Sequence, residues 1–257
     1  MSNIDKTMPQ GKWEFNENVA CVFDNMLQNS IPSYGRMRDL TYRLGRRFVT
    51  PGTAIVDLGA SLGRAIEPFA QEFGKIRDIP QYDAGEVTGV EVQGNFYSLF
   101  EIAPAMRERL EQNAVLNEVD AVLSDDSLSE VDSFKMSNIP CSLILSVLTL
   151  QFTPIEHRQH ILETVYESLQ PGGAFILVEK VLGDDNFLDR VLVDTYYGMK
   201  GGNGYSPESI AAKRKSLEGV LVPVKAAWNE ELLRKTGFKR VECFYRDLNF
   251  AGWLAIK

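Results

Sequence analysis

The chain has 257 residues, 44% hydrophobic and 24% charged, with a formal net charge of −8. This is the composition of an ordinary globular protein, long enough for one large α/β domain, and its acidic balance argues against direct nucleic-acid binding. Three cysteines far apart (Cys21, Cys141, Cys243) speak against a disulfide framework or zinc site, and with no apolar signal core or membrane-length apolar run a cytoplasmic location is expected.

Residues 1 to about 12 read as loosely attached. Helical periodicity starts near Asn16 and carries Val19, Val22, Phe23 and Met26 on one face, until Ile31-Pro32-Ser33-Tyr34-Gly35 breaks it. A second helix is expected from about Arg36 to Phe48, so residues 1–50 form a helical cap. Ala54-Ile55-Val56 is a buried strand that meets Asp57 and turns through Gly59 and Gly63 into a helix over about Arg64 to Phe73. Such a turn is expected to leave backbone N–H groups free at a helix N-terminus and to let a ligand approach the backbone.

Glu86 to Gln93 alternates as a strand, Gly94-Asn95 is a turn signal, and Phe96 to Ile102 is a second strand run. Further helices are expected over Ala105 to Asn113 and Pro154 to Leu169, and strands over Ala121 to Leu123, Cys141 to Thr149 and Ala174 to Glu179. This alternation implies a parallel sheet with helices on both faces, the core spanning 51–182. Asp184 to Asn203 reads as a polar, Gly-rich segment before a charged helix around Lys213 to Glu218, so 183–222 is a helical insertion over the site. Residues 223–257 complete the core with a helix and an antiparallel hairpin, Phe238 to Tyr245 and Asn249 to Ile256.

In this architecture ligands bind outside the carboxyl ends of the strands. Four ends converge there: Asp57-Leu58-Gly59, Glu101-Ile102, Asp125-Asp126 and Ser146-Val147. A ribose-binding acid is expected about 20 residues beyond the glycine turn. Glu91 lies nearer that range, but Glu101 is preferred because Ala103-Pro104-Ala105-Met106 follows it as a helix opening. Glu91 then belongs to an inserted hairpin. The order Asp-Leu-Gly-x-Ser-x-Gly resembles motif I of class I S-adenosylmethionine (SAM) dependent methyltransferases. On that reading Gly59 and Gly63 admit the amino-acid and ribose portion of SAM. The Glu101 carboxylate accepts from the ribose hydroxyls, Asp125 accepts from the adenine amino group, and Ile102 walls the ring.

A closer resemblance covers nearly the whole chain from Lys12 onward. Trp13-Glu14-Phe15 with Val19, Val22-Phe23, Met26 and Ser30 through Tyr34 looks like the N-terminal cap of carboxy-S-adenosylmethionine (carboxy-SAM) synthases. Asp57 through Gly63, Pro104-Ala105-Met106, Thr149-Leu150-Gln151-Phe152, Pro171-Gly172-Gly173-Ala174 and Asn203-Gly204-Tyr205-Ser206 followed by Lys213-Arg214 and Leu217-Glu218 extend the match. The resemblance implies a Rossmann-like fold with a mostly parallel seven-stranded sheet, an N-terminal helical cap and an inserted hairpin. It implies that SAM reacts with prephenate to give carboxy-SAM and phenylpyruvate, the product serving uridine modification at the tRNA wobble position. Tyr34, Gly59, Ala60, Ser61, Glu101, Ile102, Asp125, Asp126 and Val147 would line the SAM site. Arg214 would bind the new carboxylate from the partner subunit of a homodimer, with Tyr34 beside the chemistry.

Ala60 stands where the family usually has Cys, Glu101 where it has Asp, and Val147 where it commonly has Asn; the 80s-to-90s insertion is foreign to the pattern. Val147 and the insertion favour the alternative of a methyltransferase acting on a small molecule, holding SAM or S-adenosylhomocysteine (SAH). A third reading is a non-catalytic SAM- or RNA-binding protein using the run Arg36, Arg38, Arg43, Arg46 and Arg47, which otherwise reads as a solvated or intersubunit face. His157 and His160 have no third metal ligand apparent. Tyr196-Tyr197 and Trp228 either line a substrate pocket or pack.

Overall fold

The computed structural model describes residues 11–83, 86–136 and 138–257, so most of the expectation for residues 1 to 12 lies outside the described residues. The cap is α1 (Glu17–Ser30) and α2 (Tyr34–Gly45), followed by β1 (Ala54–Leu58) and α3 (Glu67–Phe73). Next come β2 (Arg77–Asp83), β3 (Glu86–Gln93), β4 (Phe96–Phe100), α4 (Pro104–Glu111), α5 (Ala114–Glu118) and β5 (Val122–Ser124). The second half holds β6 (Cys141–Val147), α6 (Ile155–Ser168), β7 (Leu169–Leu182), α7 (Asn186–Gly202) and α8 (Pro207–Ser216). The chain closes with β8 (Val224–Lys225), α9 (Ala226–Thr236), β9 (Arg240–Asp247) and β10 (Phe250–Ile256). No described helix is long and apolar enough to cross a membrane.

Seven strands run in the order β5-β4-β1-β6-β7-β10-β9, and the two-residue β8 pairs with the end of β7. β5, β4, β1, β6 and β7 are parallel neighbours, while β10 runs antiparallel between β7 and β9. Strand alternation divides the core by face. Val56, Leu58, Ile144, Phe175 and Leu177 pack one way, with Ile161, Leu162 and Val165 of α6 and Leu233 of α9. Ile55, Leu99, Leu143, Leu145, Ile176 and Val178 pack the other way, with Met37 of α2 and Phe69 of α3. Each such side chain, fully buried, contributes about 1.5–3 kcal/mol.

Three elements differ from expectation. The strand Glu86–Gln93 pairs antiparallel with Arg77–Asp83 as a separate two-stranded sheet. It does not pair with Phe96–Phe100, which instead joins β1 in the main sheet. Gly94-Asn95 is therefore the re-entry into the core. The segment expected to be polar and irregular, Asp184 to Asn203, contains the 17-residue helix α7, started by Asp185, whose side chain accepts from the N–H groups of Phe187 and Leu188 at 2.8 Å. Third, β7 extends back through Pro171-Gly172-Gly173 to Leu169, where a break was expected.

Asn95 ties the entrance of β1 together. Buried at 1% exposure, its Nδ2 donates to the carbonyls of Thr50 at 2.7 Å and Thr53 at 3.0 Å. Asn95→Ala is expected to orphan these contacts and lose about 1–3 kcal/mol. Thermal unfolding checks this as a fall in Tm of several degrees, at roughly 2–4 °C per kcal/mol for a chain this long.

Candidate active site

Strand order reverses about β1, with β4 on one side and β6 on the other. A crevice opens at that point, outside the strand ends. It holds a cavity of about 620 Å³, walled by the strand-end loops, the cap and helices α7 and α8. Tyr34, Asp57, Gly59, Ala60, Ser61, Glu101, Ile102, Asp126, Val147 and Arg214 all border it.

Two predicted site residues do not border it. Asp125 turns outward into an ion pair with Arg107, which holds its carboxyl below the usual range, and its neighbour Asp126 takes the cavity position. Gly63 packs against the fold: a β-carbon there would lie 2.5 Å from Leu116 Cδ1 and 2.9 Å from Leu110 Cδ1. Its φ of +79° is the left-handed conformation that glycine adopts without penalty.

The glycine loop is wired differently from the expectation. The N–H groups of Gly59 and Ala60 both donate to the Phe100 carbonyl at 2.9 Å, and Gly63 N–H donates to Ala60 O at 2.7 Å. Ser61 N–H donates to Glu101 Oε2 at 2.8 Å. The helix begins only at Glu67, so these N–H groups are not free for a ligand. What the loop offers is proximity. At Gly59, with φ +78°, a β-carbon would overlap the Thr149 side chain.

Glu101 is 8% exposed, and its Oε1 accepts from Ala103 N–H at 2.8 Å. Burial pushes its carboxyl up, with those two backbone N–H groups opposing. A carboxylate has about four acceptor sites, so two remain for a ligand. Asp57 is 1% exposed and its Oδ2 has no hydrogen-bond partner. Burial raises its carboxyl to about 7, with Arg38 opposing and Glu101 adding to the shift. A buried, unpartnered carboxylate oxygen at a cavity wall is a place for a cationic or hydrogen-bond-donating ligand group.

Ser33, Ser61 and Leu148 hold φ of 46°, 50° and 64°, strained for residues with side chains. Ser61 and Leu148 border the cavity and Ser33 precedes Tyr34, which suits strain kept where it shapes a site. Arg38 of the arginine run also turns to this cavity and donates to the Tyr34 hydroxyl at 3.2 Å. Arg43 and Arg46 pair with Asp39 and Glu72 on the surface. The cap supplies Trp13, Phe15 and Phe23, with Phe15 edge-on to Phe152 at 5.1 Å.

Tyr196 and Tyr197 border the cavity, whereas Trp228 packs beside the core. His157 and His160 are exposed on α6, and no group of three metal-ligating side chains occurs among the described residues. Arg214 is exposed at the cavity mouth and makes no ion pair with Glu218 or any other described residue. Sequence reasoning missed Lys180, Lys200 and Lys213, which also border the cavity. For Lys180 the signal was present, since it lies at the end of another parallel strand.

A sheet of this order, with a glycine loop after β1 and acids at the ends of β1 and β4, defines a class I SAM-dependent methyltransferase fold. An O-methyltransferase family protein of Burkholderia thailandensis superposes with TM-score 0.60 at 13% identity, over 95% of this chain and 60% of that one. The magnesium protoporphyrin IX methyltransferase of Synechocystis PCC 6803 with bound SAH does so with TM-score 0.53 at 14% identity, over 97% and 90%. No family model matches the chain. Among curated proteins, the carboxy-SAM synthase of Methylococcus capsulatus is 35% identical over 243 residues, 95% of this chain and 93% of its own. That of Chromohalobacter salexigens is 34% identical over 245 residues, 95% and 83%. The chain belongs to the carboxy-S-adenosyl-L-methionine synthase family.

Proposed function

We propose that the protein is a SAM-consuming transferase that converts SAM and prephenate into carboxy-SAM and phenylpyruvate. The observation that carries this reading is that Arg214 borders the same cavity as Asp57 and Glu101. Methyl transfer has no use for a fixed cation there, whereas a carboxylated product does, and a guanidinium fork pairs two carboxylate oxygens at once.

When bound, SAM supplies a sulfonium methyl carbon that takes up the CO₂ lost from prephenate, one proton of that methyl leaving with the departing hydroxide as water. The chain's own residues then have separate tasks. The two remaining acceptor sites of Glu101 take the ribose hydroxyls. Asp57 Oδ2 takes the amino group of the methionine portion. Asp126 and Ile102 serve the base in place of the pair Asp125 and Ile102. Val147, apolar, offers only van der Waals contact. Tyr34, its hydroxyl held by Arg38, closes the wall beside the reacting carbon. Phe15, Phe152 and Leu217 keep water out, which matters for a reactive sulfonium and free CO₂.

In the same proposal the chain is cytoplasmic, works as a homodimer, and supplies its product to modification of tRNA wobble uridine.

The test is mass spectrometry of the purified protein incubated with SAM and prephenate. A species heavier than SAM by one CO₂, appearing in step with phenylpyruvate, is the expected result. Arg214→Met is expected to cut that yield at least about tenfold while leaving SAH binding intact, in line with loss of one partner of a charged pair. SAM or SAH alone, with prephenate untouched, would assign the chain to methyl transfer.

A further inference from the structure

Near its end β7 carries two charged residues that part company. Glu179, 2% exposed, turns into the fold, where the N–H groups of Thr149, Leu150 and Gln151 and the charge of Arg158 face it. Lys180 borders the cavity. Its own backbone is fixed, the N–H donating to Gln151 Oε1 at 2.6 Å, and its Nζ lies over the Tyr196 ring at 5.0 Å from the centroid. No described carboxylate forms an ion pair with it: Asp189, the nearest opposing charge it feels, uses Oδ1 to accept the Gly183 N–H at 2.8 Å. Arg214, from α8, adds a second positive charge on the same wall. Burial, with Arg214 adding and Asp189 opposing, pushes the lysine down to about 8. A half-buried ammonium beside a guanidinium, with no carboxylate in an ion pair with it, adds positive charge to a cavity that Asp57 and Glu101 also border.

We propose that Lys180 binds a carboxylate of the second substrate that is retained in its product, while Arg214 holds the one transferred, so that the pair selects dicarboxylates. This rests on the reading above. Asp57 and Glu101 repel anions from the SAM side of the cavity, and the Tyr196 ring fixes where the ammonium sits. A single-carboxylate acid would answer only one of Lys180 and Arg214.

The experiment is steady-state kinetics of the wild type, Lys180→Met and Lys180→Arg with SAM and prephenate. K180M is expected to raise KM for prephenate at least tenfold with KM for SAM changed less than twofold. K180R, whose charge persists, is expected to restore KM to within about threefold. The groups around Lys180 are Asp189 and Tyr196 on α7, Lys200 of α7 on the same Tyr196 ring, and Arg214 on α8, and burial drives the Tyr196 hydroxyl upward, away from this range. The wild-type KM for prephenate should therefore climb as pH passes 8, and K180R should abolish that climb. An unchanged KM for prephenate in K180M, or an equal rise in KM for SAM, overturns the assignment.

Failure of the wild type to consume prephenate would sink the preceding reading and not this one. Titrating SAH-loaded protein with 2-oxoglutarate then decides it. Weaker binding by K180M than by the wild type supports the anion seat, and equal binding or no binding by the wild type overturns it.

Discussion

Glu101→Ala should weaken SAH binding by about a hundredfold to ten-thousandfold and lower the stability of the free protein by about 2 kcal/mol, the two effects having separate origins. The affinity loss is that of two hydrogen bonds from ribose hydroxyls to an ionised acceptor, each about 1.5–3 kcal/mol. The stability loss comes from the N–H groups of Ser61 and Ala103, both now bonded to this carboxylate at 2.8 Å. Ser61, at φ 50°, is held in its strained conformation by that bond. Glu101→Gln should fall between, because its amide presents one acceptor oxygen and turns a donor toward one of the two N–H groups. Calorimetric titration with SAH and thermal unfolding separate the two quantities. A stability loss with wild-type affinity would leave Glu101 as a loop pin and remove it from ribose binding.

Asp57→Asn is expected to stabilise the free protein at pH 8 while weakening SAH binding. The ordinary carboxyl value is 3.8 and burial raises it to about 7 in the fold. The folded state therefore holds its proton more tightly than the unfolded chain, so stability is full below pH 4 and declines as pH rises toward 7. Three units at about 1.4 kcal/mol each bound the gain in D57N at about 4 kcal/mol at pH 8, vanishing near pH 4. Binding runs the opposite way. A ligand ammonium pairs with the ionised form, so wild-type affinity should tighten from pH 5.5 to 7.5 and then level off. D57N should be weaker by about tenfold to a hundredfold at pH 8 and nearly flat with pH. Glu101 is also shifted upward, and a residual slope in D57N would measure its share. Urea unfolding of both proteins at pH 5 and pH 8 tests the stability half; no crossing trend in stability would overturn it.

How far the sequence carries follows from where its signals are local. β1 and its acid are legible because an apolar, β-branched run ending in Asp57 and two glycines has few other readings. Choosing Glu101 over Glu91 rested on the helix opening after it, and Glu101 is the one that borders the cavity. The partner of β3 was not legible, since β2 contains Pro80 and little alternation, and strand pairing there is set across a turn. Helix α7 was hidden by Gly198, Gly201 and Gly202, each costing about 1 kcal/mol in a helix relative to Ala. Its burial of Tyr196 and Lys200 under the β10 and α8 region overrides that local preference. Which of Asp125 and Asp126 faces inward depended on Arg107, a residue of another element. The wiring of the glycine loop was beyond reach for the same reason, because its acceptor, the Phe100 carbonyl, belongs to β4.

The cap has a consequence for the order in which the molecule is made. Trp13 N–H donates to Ser216 O at 2.8 Å, Asn203 Nδ2 to Asn29 O at 2.8 Å, Ser30 Oγ to Tyr205 Oη at 3.2 Å, and Tyr245 Oη to Pro32 O at 2.6 Å. The cap is thus fastened by partners about two hundred residues later in the chain, and synthesis runs at about 5–20 residues per second. For that interval α1 must keep its apolar face waiting, with α4 the earlier helix that can cover it. The reacting cavity gains its last walls only when α7, α8 and the start of β10 arrive, so a nascent or truncated chain can build much of the parallel sheet without ever possessing a complete place to work.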